Sequence, residues 1–301
     1  MPELPDVTVY CEALASRTVG TRFLRASLPS MFVLRSVEPP IASLEGRRVE
    51  SVSRLGKRIV VQFEGSLYLV VHLMVSGRLL WGEGEPKSPR PAGKATLAVL
   101  QFETGHLVLT EASSKKRASL HVVAGRDALM QHDPGGIEPS TSTPEQFAEA
   151  LARENRTLKR ALTNPKAFSG IGNAYSDEIL HAARLSPVRL THSLSEDEAK
   201  RLHTATRETL SRWTDRLRQE FAGRFPGRGK VTAFRPDFAV HGKFGKPCPT
   251  CGKPVQRISY AENETNYCAL CQNEGRLLAD RSLSRLLKSD WPKTIEEMEG
   301  E

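Results

Sequence analysis

The sequence predicts an α+β protein of two domains, in which a leading helix and a set of β-strands precede a helical domain with a metal-binding segment. Residues 21–123 contain short strands that recur at the spacing of a β-sandwich or barrel. Residues 132–143 lack periodicity, and helical patterns begin directly after them. Two closely spaced cysteine pairs then lie near the C-terminus. A length of 301 residues suits two domains that each bury a core.

The first predicted element is a helix close to the N-terminus. Pro5 suits the first turn of a helix, where no backbone N–H is required, and Gly20 marks the end. Between them Val7, Cys11 and Leu14 repeat on one face. We therefore expect a helix with a buried apolar face on which Cys11 lies.

The residues before this helix offer an unusual nucleophile. If Met1 is removed, Pro2 carries a secondary amine, and an amine forms a Schiff base with an aldehyde. An α-amino group has a pKa of about 7.7 to 8, so a sizeable fraction is unprotonated near neutral pH. Glu3 would be the acid beside it. The alternative is a plain helix start, because proline and acidic residues are common there.

The strands that follow are interrupted by two basic segments. Lys57 follows Gly56 at the start of one strand, and residues 113–117 end in three consecutive cations. The alternative for each segment is a solvated strand end. His72 lies inside the apolar run 67–75, where a satisfied core histidine is the alternative to a binding residue. The predicted strands are Thr21–Leu28, Arg47–Leu55, Arg58–Phe63, Leu67–Leu80, Ala95–Phe102, His106–Thr110 and Ala118–Val123.

Three helices are predicted after the linker. The first ends before Asn164, the second stops before Pro187, and the third opens with Ser195 and Glu198 in the spacing of a capping box. The apolar stripe of the first helix is Phe147, Leu151, Leu158 and Leu162; the second spans Asn173–Arg184; the third carries Leu202, Leu210, Trp213, Leu217 and Phe221.

The turn before the second helix delivers Gly170, Gly172 and Asn173 to a helix N-terminus. Backbone N–H groups at such a position bind phosphate, and glycines permit close approach. A compact turn without a ligand fits the same spacing.

Four of the five cysteines form the pattern C-x2-C, sixteen residues, C-x2-C. Four thiolates at this spacing make a closed tetrahedral zinc site, which folds a segment too small to hold its own core. We expect one structural zinc ion, because four protein ligands leave no open position for chemistry. The predicted ligands are Cys248, Cys251, Cys268 and Cys271. Residues 276–301 have the pattern of an amphipathic helix.

The composition is that of a soluble globular protein, with 39% hydrophobic and 26% charged residues. Lys and Arg outnumber Asp and Glu by 43 to 35, which favours a polyanionic partner, although many basic proteins bind nothing specific. The first residues lack the basic and apolar regions of a secretory signal, and the run 67–75 is too short to cross a bilayer. We expect an intracellular, cytoplasmic protein that has no membrane partner.

These motifs together resemble the formamidopyrimidine-DNA glycosylase and endonuclease VIII family of base-excision repair enzymes. They occur in the order of that family and span nearly the whole chain. The motifs that carry the resemblance are Pro2-Glu3-Leu4-Pro5, Gly56-Lys57, His72-Leu73 with Ser76-Gly77, Gly170-Ile171-Gly172-Asn173-Ala174-Tyr175 with Asp177-Glu178, and the four cysteines.

The resemblance implies an N-terminal catalytic β-sandwich domain with a leading helix and a C-terminal helix-two-turn-helix domain with a four-cysteine zinc-finger hairpin. It also implies a DNA cleft between these domains. The implied ranges are 1–131 for the catalytic domain, 132–143 for the linker, 144–240 for the helix-two-turn-helix domain, 241–273 for the finger and 274–301 for an extension.

The resemblance also implies roles for individual residues. Pro2 would be the nucleophile, Glu3 the proton donor for opening of the sugar ring, and Lys57 a residue beside the lesion phosphate that assists β-elimination. Glu178 would be structural. The residues expected to contact DNA are His72, Lys116, Arg117, Lys159, Gly172, Asn173 and Asn263.

The chain departs from the family pattern at three places. Asn263 stands where the finger usually has an arginine, and a neutral amide cannot replace a guanidinium fork, so δ-elimination stays open. Val75 takes the position of a space-filling methionine. The loop within Glu111–Ser119 contains no aromatic wedge.

The resemblance implies a bifunctional DNA glycosylase with abasic-site lyase activity that acts on oxidised bases in double-stranded DNA. The alternative is a catalytically silent DNA-damage-binding protein on the same scaffold. We expect a monomer whose partner is duplex DNA with damaged bases or abasic sites, associated with the nucleoid if the source is bacterial. The sequence does not name the lesion or the preferred opposite base.

Overall fold

The structure is a computed structural model that describes residues 1–86, 95–227, 229–231, 234–260, 263–279 and 292–299. The chain divides into two compact units. The first comprises Met1–Pro134 and Trp213–Ala233, and the second comprises Gly135–Arg212 and Phe234–Glu301. Among the described residues, no helix combines the length and the apolar character that a bilayer span requires.

The first unit is a β-sandwich that confirms the predicted class. Helix α1 (Leu4–Thr18) precedes two four-stranded antiparallel sheets, and the short helix α2 (Arg126–Met130) follows them. One sheet has the strand order β1-β6-β7-β5 and the other the order β2-β3-β4-β8. The strands are β1 (Phe23–Ser27), β2 (Val49–Leu55), β3 (Arg58–Phe63), β4 (Leu67–His72), β5 (Gly77–Glu83), β6 (Thr96–Phe102), β7 (Gly105–Glu111) and β8 (Ser119–Ala124).

The core of this unit is built by the inward faces of both sheets and one face of α1. Burial alternates residue by residue along β7, as expected for a strand with one face on the core. Side chains of both sheets, such as Phe23, Leu109 and Leu69, join Leu14 of α1 in one hydrophobic cluster. Cys11 lies on α1 at 6% exposure, so its predicted burial is confirmed.

The prediction of a single strand over Leu67–Leu80 was wrong, because β4 and β5 lie in different sheets. The chain reverses between them in a tight turn in which Gly77 N–H donates to the carbonyl of Leu73 at 2.8 Å. Met74 has φ +50°, and a Cβ at Gly77 would lie 2.3 Å from the Leu73 oxygen. The apolar run concealed this turn, since no proline or asparagine marks it.

The second unit is helical and carries a β-hairpin. The helix that begins at Glu196 opens with the predicted capping box, in which Glu198 N–H donates to Ser195 Oγ at 3.2 Å and Ser195 N–H donates to Glu198 Oε2 at 2.9 Å. The elements are α3 (Pro144–Ala152), α4 (Leu158–Leu162), α5 (Asn173–Ala182), α6 (Glu196–Phe221), β9 (Gln256–Tyr260), β10 (Asn263–Tyr267), α7 (Ala269–Asn273) and α8 (Ile295–Glu299).

Two helix predictions in this unit need correction. The single helix over 147–162 is two helices, because Thr191 Oγ1 donates to the carbonyl of Glu154 at 2.7 Å and Thr157 forms a bridge with Leu190. The predicted helix over 276–301 falls partly on residues 280–291 and 300–301, outside the described residues. Its described beginning is extended, since Leu277 N–H donates to the carbonyl of Lys293 at 2.8 Å.

The last part of α6 groups with the first unit, although the sequence assigned all of 144–240 to the helical domain. Leu217 and Phe221 belong to the core of the β-sandwich unit. Arg218 also holds α1, because its Nε and Nη2 donate to the carboxylate of Glu12 at 3.1 and 2.6 Å. Packing and charge therefore place this segment with the N-terminal unit.

Candidate functional site

The start of α1 is buried together with its carboxylates. Pro2, Glu3 and Asp6 are all buried, and Asp6 Oδ2 accepts a hydrogen bond of 3.0 Å from the backbone N–H of Glu3. This bond is one half of a capping box at the helix entrance. The N-terminus is therefore a fixed part of the first unit.

The terminal amino group lies in an environment that favours its neutral form. Burial lowers the pKa of the Met1 amino group below its ordinary value of 8.0, while the charge of Glu3 opposes this shift. The positive charges of Arg78 and Lys57 lower the same pKa further, so both side chains lie close to the N-terminus. A neutral amine is the form that acts as a nucleophile.

Lys57 reaches this position from the turn between β2 and β3. Gly56 has φ +61° in that turn, which is the left-handed conformation that glycine adopts without strain. The charges of Glu3 and Lys57, both singled out from the sequence, therefore act on the amino group that precedes Pro2.

His72 ends β4, and the charge of Lys57 acts on it as well. Burial lowers the pKa of His72 to about 4, and the charges of Arg58 and Lys57 lower it in the same direction. Arg58 is also its neighbour on β3 in the strand register. The imidazole is therefore neutral near pH 7 and offers a polar contact without a charge.

Arg78 was missed by the sequence analysis. Its Nη1 donates to the carbonyls of Gly77 at 2.7 Å and Val75 at 3.2 Å, which braces the turn between β4 and β5. The same side chain acts electrostatically on the Met1 amino group. No local pattern marks this arginine, because its role depends on residues distant in the chain.

The basic loop after β7 contains a cation that is bonded within the unit and another that is exposed to solvent. Lys116 Nζ folds back and donates to the backbone carbonyl of Glu111, so this ammonium is engaged within the domain. The side chain of Arg117 is exposed. Glu111 itself is 1% exposed and was not singled out from the sequence.

The segment after α6 packs against α1 and β5. The ring of Phe225 lies 5.7 Å from that of Tyr10 and 6.2 Å from that of Trp81, measured between centroids. The guanidinium of Arg17 lies 5.7 Å above the Phe225 ring. Residues 228, 232 and 233 of the adjoining segment lie outside the described part of the chain.

In the second unit, a buried charge network supports the N-terminus of α5. Lys159 Nζ donates to Asp177 Oδ1 at 2.5 Å and to the backbone carbonyl of Asn173 at 2.6 Å. The other carboxylate oxygen of Asp177 lies 2.7 Å from His241 Nδ1. Lys159 is only 7% exposed, so its charge is neutralised inside the unit.

Asn173 and Glu178 join α5 to the finger segment. Asn173 Nδ2 donates to the backbone carbonyl of Glu264 on β10 at 3.0 Å. The Glu178 carboxylate accepts three backbone N–H groups at 2.8 to 2.9 Å, from Ala239, Val240 and His241. Burial raises the pKa of Glu178, and these three bonds lower it to a smaller extent. These contacts give Glu178 a structural role.

The turn before α5 positions two of the predicted glycines. Gly170 has φ +78°, and Gly172 is the N-cap of α5 in an extended conformation. Helix α5 therefore begins at Asn173, where the positive end of its dipole lies. Asn263 begins β10, but its side chain lies outside the described atoms.

The four cysteine sulfurs converge at one point. Their Sγ atoms all lie within 4.8 Å of one another, which fits a tetrahedral Zn²⁺ with Zn–S bonds of about 2.3 Å. Two sulfurs accept backbone N–H groups at 3.4 Å, Cys248 from Thr250 and Cys268 from Cys271. Such donors stabilise thiolates. The predicted set of one structural zinc and four cysteine ligands is confirmed.

Three family models match successive segments of the chain. Residues 1–118 match the formamidopyrimidine-DNA glycosylase N-terminal domain, residues 136–216 match the H2TH domain of the same protein, and residues 245–273 match the zinc finger found in FPG and IleRS.

The chain is also similar over most of its length to proteins named formamidopyrimidine-DNA glycosylase. The protein of Symbiobacterium thermophilum is 33% identical over 292 residues, which are 93% of each chain. The protein of Thermus thermophilus is 33% identical over 283 residues, which are 91% of this chain and 100% of the relative.

Two solved structures share the fold. The Lactococcus lactis glycosylase bound non-covalently to DNA with an AP site has a TM-score of 0.77 at 25% identity, and the match covers 90% of this chain and 99% of that one. The complex of the Lactococcus lactis protein with DNA containing FAPY-dG has a TM-score of 0.78 at 24% identity, with coverage of 90% and 100%. These matches confirm the predicted fold class.

Proposed function

The chain belongs to the formamidopyrimidine-DNA glycosylase family, and we propose that it excises oxidised bases from double-stranded DNA and then cuts the strand as an abasic-site lyase. The observation that carries this proposal is the buried N-terminus, where Pro2 and Glu3 are buried and where burial, with the charges of Arg78 and Lys57, lowers the pKa of the Met1 amino group. The Lactococcus lactis relative is bound to DNA with an AP site, and this chain has Pro2, Glu3 and Lys57 as candidates for the chemistry.

The reaction begins once Met1 has been removed. The nitrogen of Pro2 forms a bond to C1′ of the deoxyribose while the bond between C1′ and the base breaks, and the base leaves with the electron pair and a proton. Glu3 donates a proton to the ring oxygen as the C1′–O4′ bond opens, which leaves an iminium ion. Loss of a C2′ proton then expels the 3′ phosphate, and water releases the sugar from Pro2.

Lys57 assists the elimination step in this scheme. Its charge acts on the N-terminal amino group, which supports a role at the step that follows attack by the amine. A cation there stabilises the departing phosphate and favours the unprotonated amine before attack. Whether a second elimination follows depends on the finger, where Asn263 offers no guanidinium.

The residues proposed to bind DNA are of two kinds. Some contact DNA directly, and others hold the contacting segments in place. Arg117 is exposed and supplies charge, His72 is a neutral polar contact, and the backbone at Gly172 and Asn173 takes a phosphate at the N-terminus of α5. Lys116 donates to the backbone carbonyl of Glu111 and Lys159 to that of Asn173, so both also support the segments that carry these contacts.

The proposal also includes the role of the zinc finger, the DNA partner and the cellular location. One structural zinc ion holds the hairpin that carries Asn263. The partner is duplex DNA with damaged bases or abasic sites, and the protein acts as a monomer in the cytoplasm, at the nucleoid in a bacterial cell. The net charge of +8 favours the polyanion.

Borohydride trapping tests the nucleophile. An abasic-site duplex should form a covalent adduct with the wild-type protein, and the DNA should lie on the tryptic peptide that ends at Arg17 and begins at Pro2. Pro2→Gly should lose most trapping, whereas Pro5→Ala, which changes a neighbouring proline on the same helix turn, should retain it. Trapping in Pro2→Gly at the wild-type level, or an adduct on a lysine peptide, refutes Pro2 as the nucleophile.

The same assay separates the enzyme from the silent binding protein. A silent protein would bind the abasic duplex, yet it would form no adduct and release no base. Base release from a panel of oxidised purines and oxidised pyrimidines, each opposite all four bases, would then identify the substrate.

A further inference from the structure

One buried carboxylate joins two surface segments of the first unit. Glu111 ends β7 and is 1% exposed. Its Oε2 accepts the backbone N–H groups of Arg117 at 2.8 Å and Ala118 at 2.9 Å, while its Oε1 accepts the hydroxyl of Ser76 at 3.1 Å. Both carboxylate oxygens are thereby engaged by groups from two different segments.

The first of these segments is the turn between β4 and β5. Its apex presents Val75, whose side chain is 58% exposed, directly after Met74 at φ +50°. The strand register sets Gly77 opposite Glu111, so the turn and the end of β7 are neighbours in the sheet. An exposed apolar residue on a strained turn is held there by its surroundings.

The second segment is the basic loop of residues 112–118. The Glu111 carboxylate accepts the backbone N–H groups of Arg117 and Ala118, where this loop ends. The ammonium of Lys116 also donates to the backbone carbonyl of Glu111, where the loop begins. The loop therefore has a fixed path, on which the side chain of Arg117 projects into solvent. Ser76 connects this path to the apex of the other turn.

Packing alone does not explain a charge at this position. A buried carboxylate loses its hydration, and that cost is recovered only if hydrogen-bond donors replace the water. An apolar residue of the same size would fill the space but would leave the backbone N–H groups of Arg117 and Ala118 without this acceptor. The arrangement therefore fits a residue whose function is to fix the geometry of the two segments.

We propose that Glu111 is a positioning residue that holds the Val75 turn and the Arg117 loop in one arrangement for recognition of duplex DNA at a damaged site. This inference rests on the proposed function. At such a site one base has left the stack. An apolar apex then packs into the vacated space, and a nearby cation binds the phosphates beside it. Intact duplex offers no such space, so the fixed arrangement raises the preference for damaged DNA.

The test compares Glu111→Gln with Ser76→Ala. Glu111→Gln keeps the shape but removes the charge, so the bonds from the backbone N–H groups of Arg117 and Ala118 are no longer charge-assisted. Ser76→Ala removes only the bond between the two segments. Binding would be measured for a duplex with a tetrahydrofuran abasic-site analogue and for the same duplex intact. We expect the ratio of the two affinities to fall about tenfold in Glu111→Gln, as loss of a charge-assisted bond suggests, and by a smaller factor in Ser76→Ala.

Limited trypsin digestion reports the loop directly. Cleavage after Lys115, Lys116 or Arg117, identified by fragment mass, should increase in Glu111→Gln while the melting temperature of the protein changes little. An unchanged affinity ratio together with faster cleavage overturns the inference, because the loop has then lost its path without affecting recognition. Equal losses of affinity for both duplexes also overturn it and leave Glu111 as a stabilising residue. If the wild-type protein shows no preference for the abasic duplex, the proposed function fails instead.

Discussion

Lys159 and Asp177 form a buried ion pair at the N-terminus of α5, with 2.5 Å between Nζ and Oδ1 and side-chain exposures of 9% and 0%. The pair does not stand alone, because Asn173 and His241 take the remaining contacts of the ammonium and the carboxylate. The turn that we assign to phosphate binding is thus braced from inside the second unit.

Asp177→Asn should destabilise this unit strongly, because it leaves a buried ammonium without a counter-charge. Such a loss costs roughly 3 to 5 kcal/mol. Native-state hydrogen exchange of the α5 amides would measure it. Arg276→Ala is the control, since Arg276 is 74% exposed in its pair with Glu274 and should cost at most about 1 kcal/mol. Similar small effects of both substitutions would contradict the structural role of the pair.

Removal of zinc should lower DNA affinity more than it lowers the stability of the β-sandwich unit. The four thiolates hold β9 and β10, whereas the core of the first unit contains no zinc ligand among its described residues. Binding of an abasic duplex and hydrogen exchange of the first unit's strands would be compared before and after chelation. Cys11→Ala should keep its zinc. A metal-free protein that binds DNA as well as the wild type would exclude the finger from the interface.

Lys57→Ala should slow strand cleavage more than it weakens binding. The reason is that the charge of Lys57 influences the N-terminal amino group, so the proposed function assigns Lys57 to the reaction and not to binding. Single-turnover cleavage would be measured beside the dissociation constant for the same duplex. Arg117→Ala, which changes an exposed cation, should show the reverse pattern. Weaker binding with an unchanged cleavage rate would reassign Lys57 to phosphate anchoring.

The stability of the first unit should decrease as the pH falls from about 6.5 towards 4. In this window the unfolded chain binds a proton at His72 that the folded chain excludes, because burial lowers the pKa of His72 from 6.5 to about 4. The free energy of unfolding therefore rises with pH here, by at most about 1.4 kcal/mol per pH unit for one group. Burial also lowers the pKa values of His121 and His132, which adds slope of the same sign.

His72→Gln should reduce this slope without abolishing it. Urea titrations at several pH values, followed by the methyl resonances of Ile59 and Val71, would measure the stability of the first unit alone. His192→Gln changes an exposed histidine of the second unit and should leave the slope unchanged. An equal slope in His72→Gln and the wild type would show that His72 is protonated alike in both states.

The site was predictable where its residues are close in the chain. The cysteine spacing identified the zinc site, and Gly170 and Gly172 before Asn173 indicated a helix N-terminus that the structure contains. Pro2 and Glu3 suggested the chemistry of the N-terminus, and the resemblance to the family favoured it over a plain helix start. The roles of these residues in catalysis stay predictions until the trapping experiment is done.

Residues whose roles depend on distant partners escaped the sequence. Ser76 meets Glu111 across 35 positions, and Asp177 meets His241 across 64. Arg218 meets Glu12 across 206 positions. Hydrophobic periodicity reports which face of an element is buried, but it contains no information about which distant side chain completes a hydrogen bond.

The sequence by itself determined the α+β class, the strand-rich and helical regions, the zinc ligands and the family. These depend on local spacing, because turn residues, apolar periods and metal ligands act over a few positions. Only the tertiary structure decided that the run after Leu67 splits between two sheets, that the end of α6 joins the first unit, and that Lys159 is buried in an ion pair. Each of these features depends on contacts between residues that are distant in the chain. The packing of the whole unit determines these contacts, including which buried polar groups find a partner.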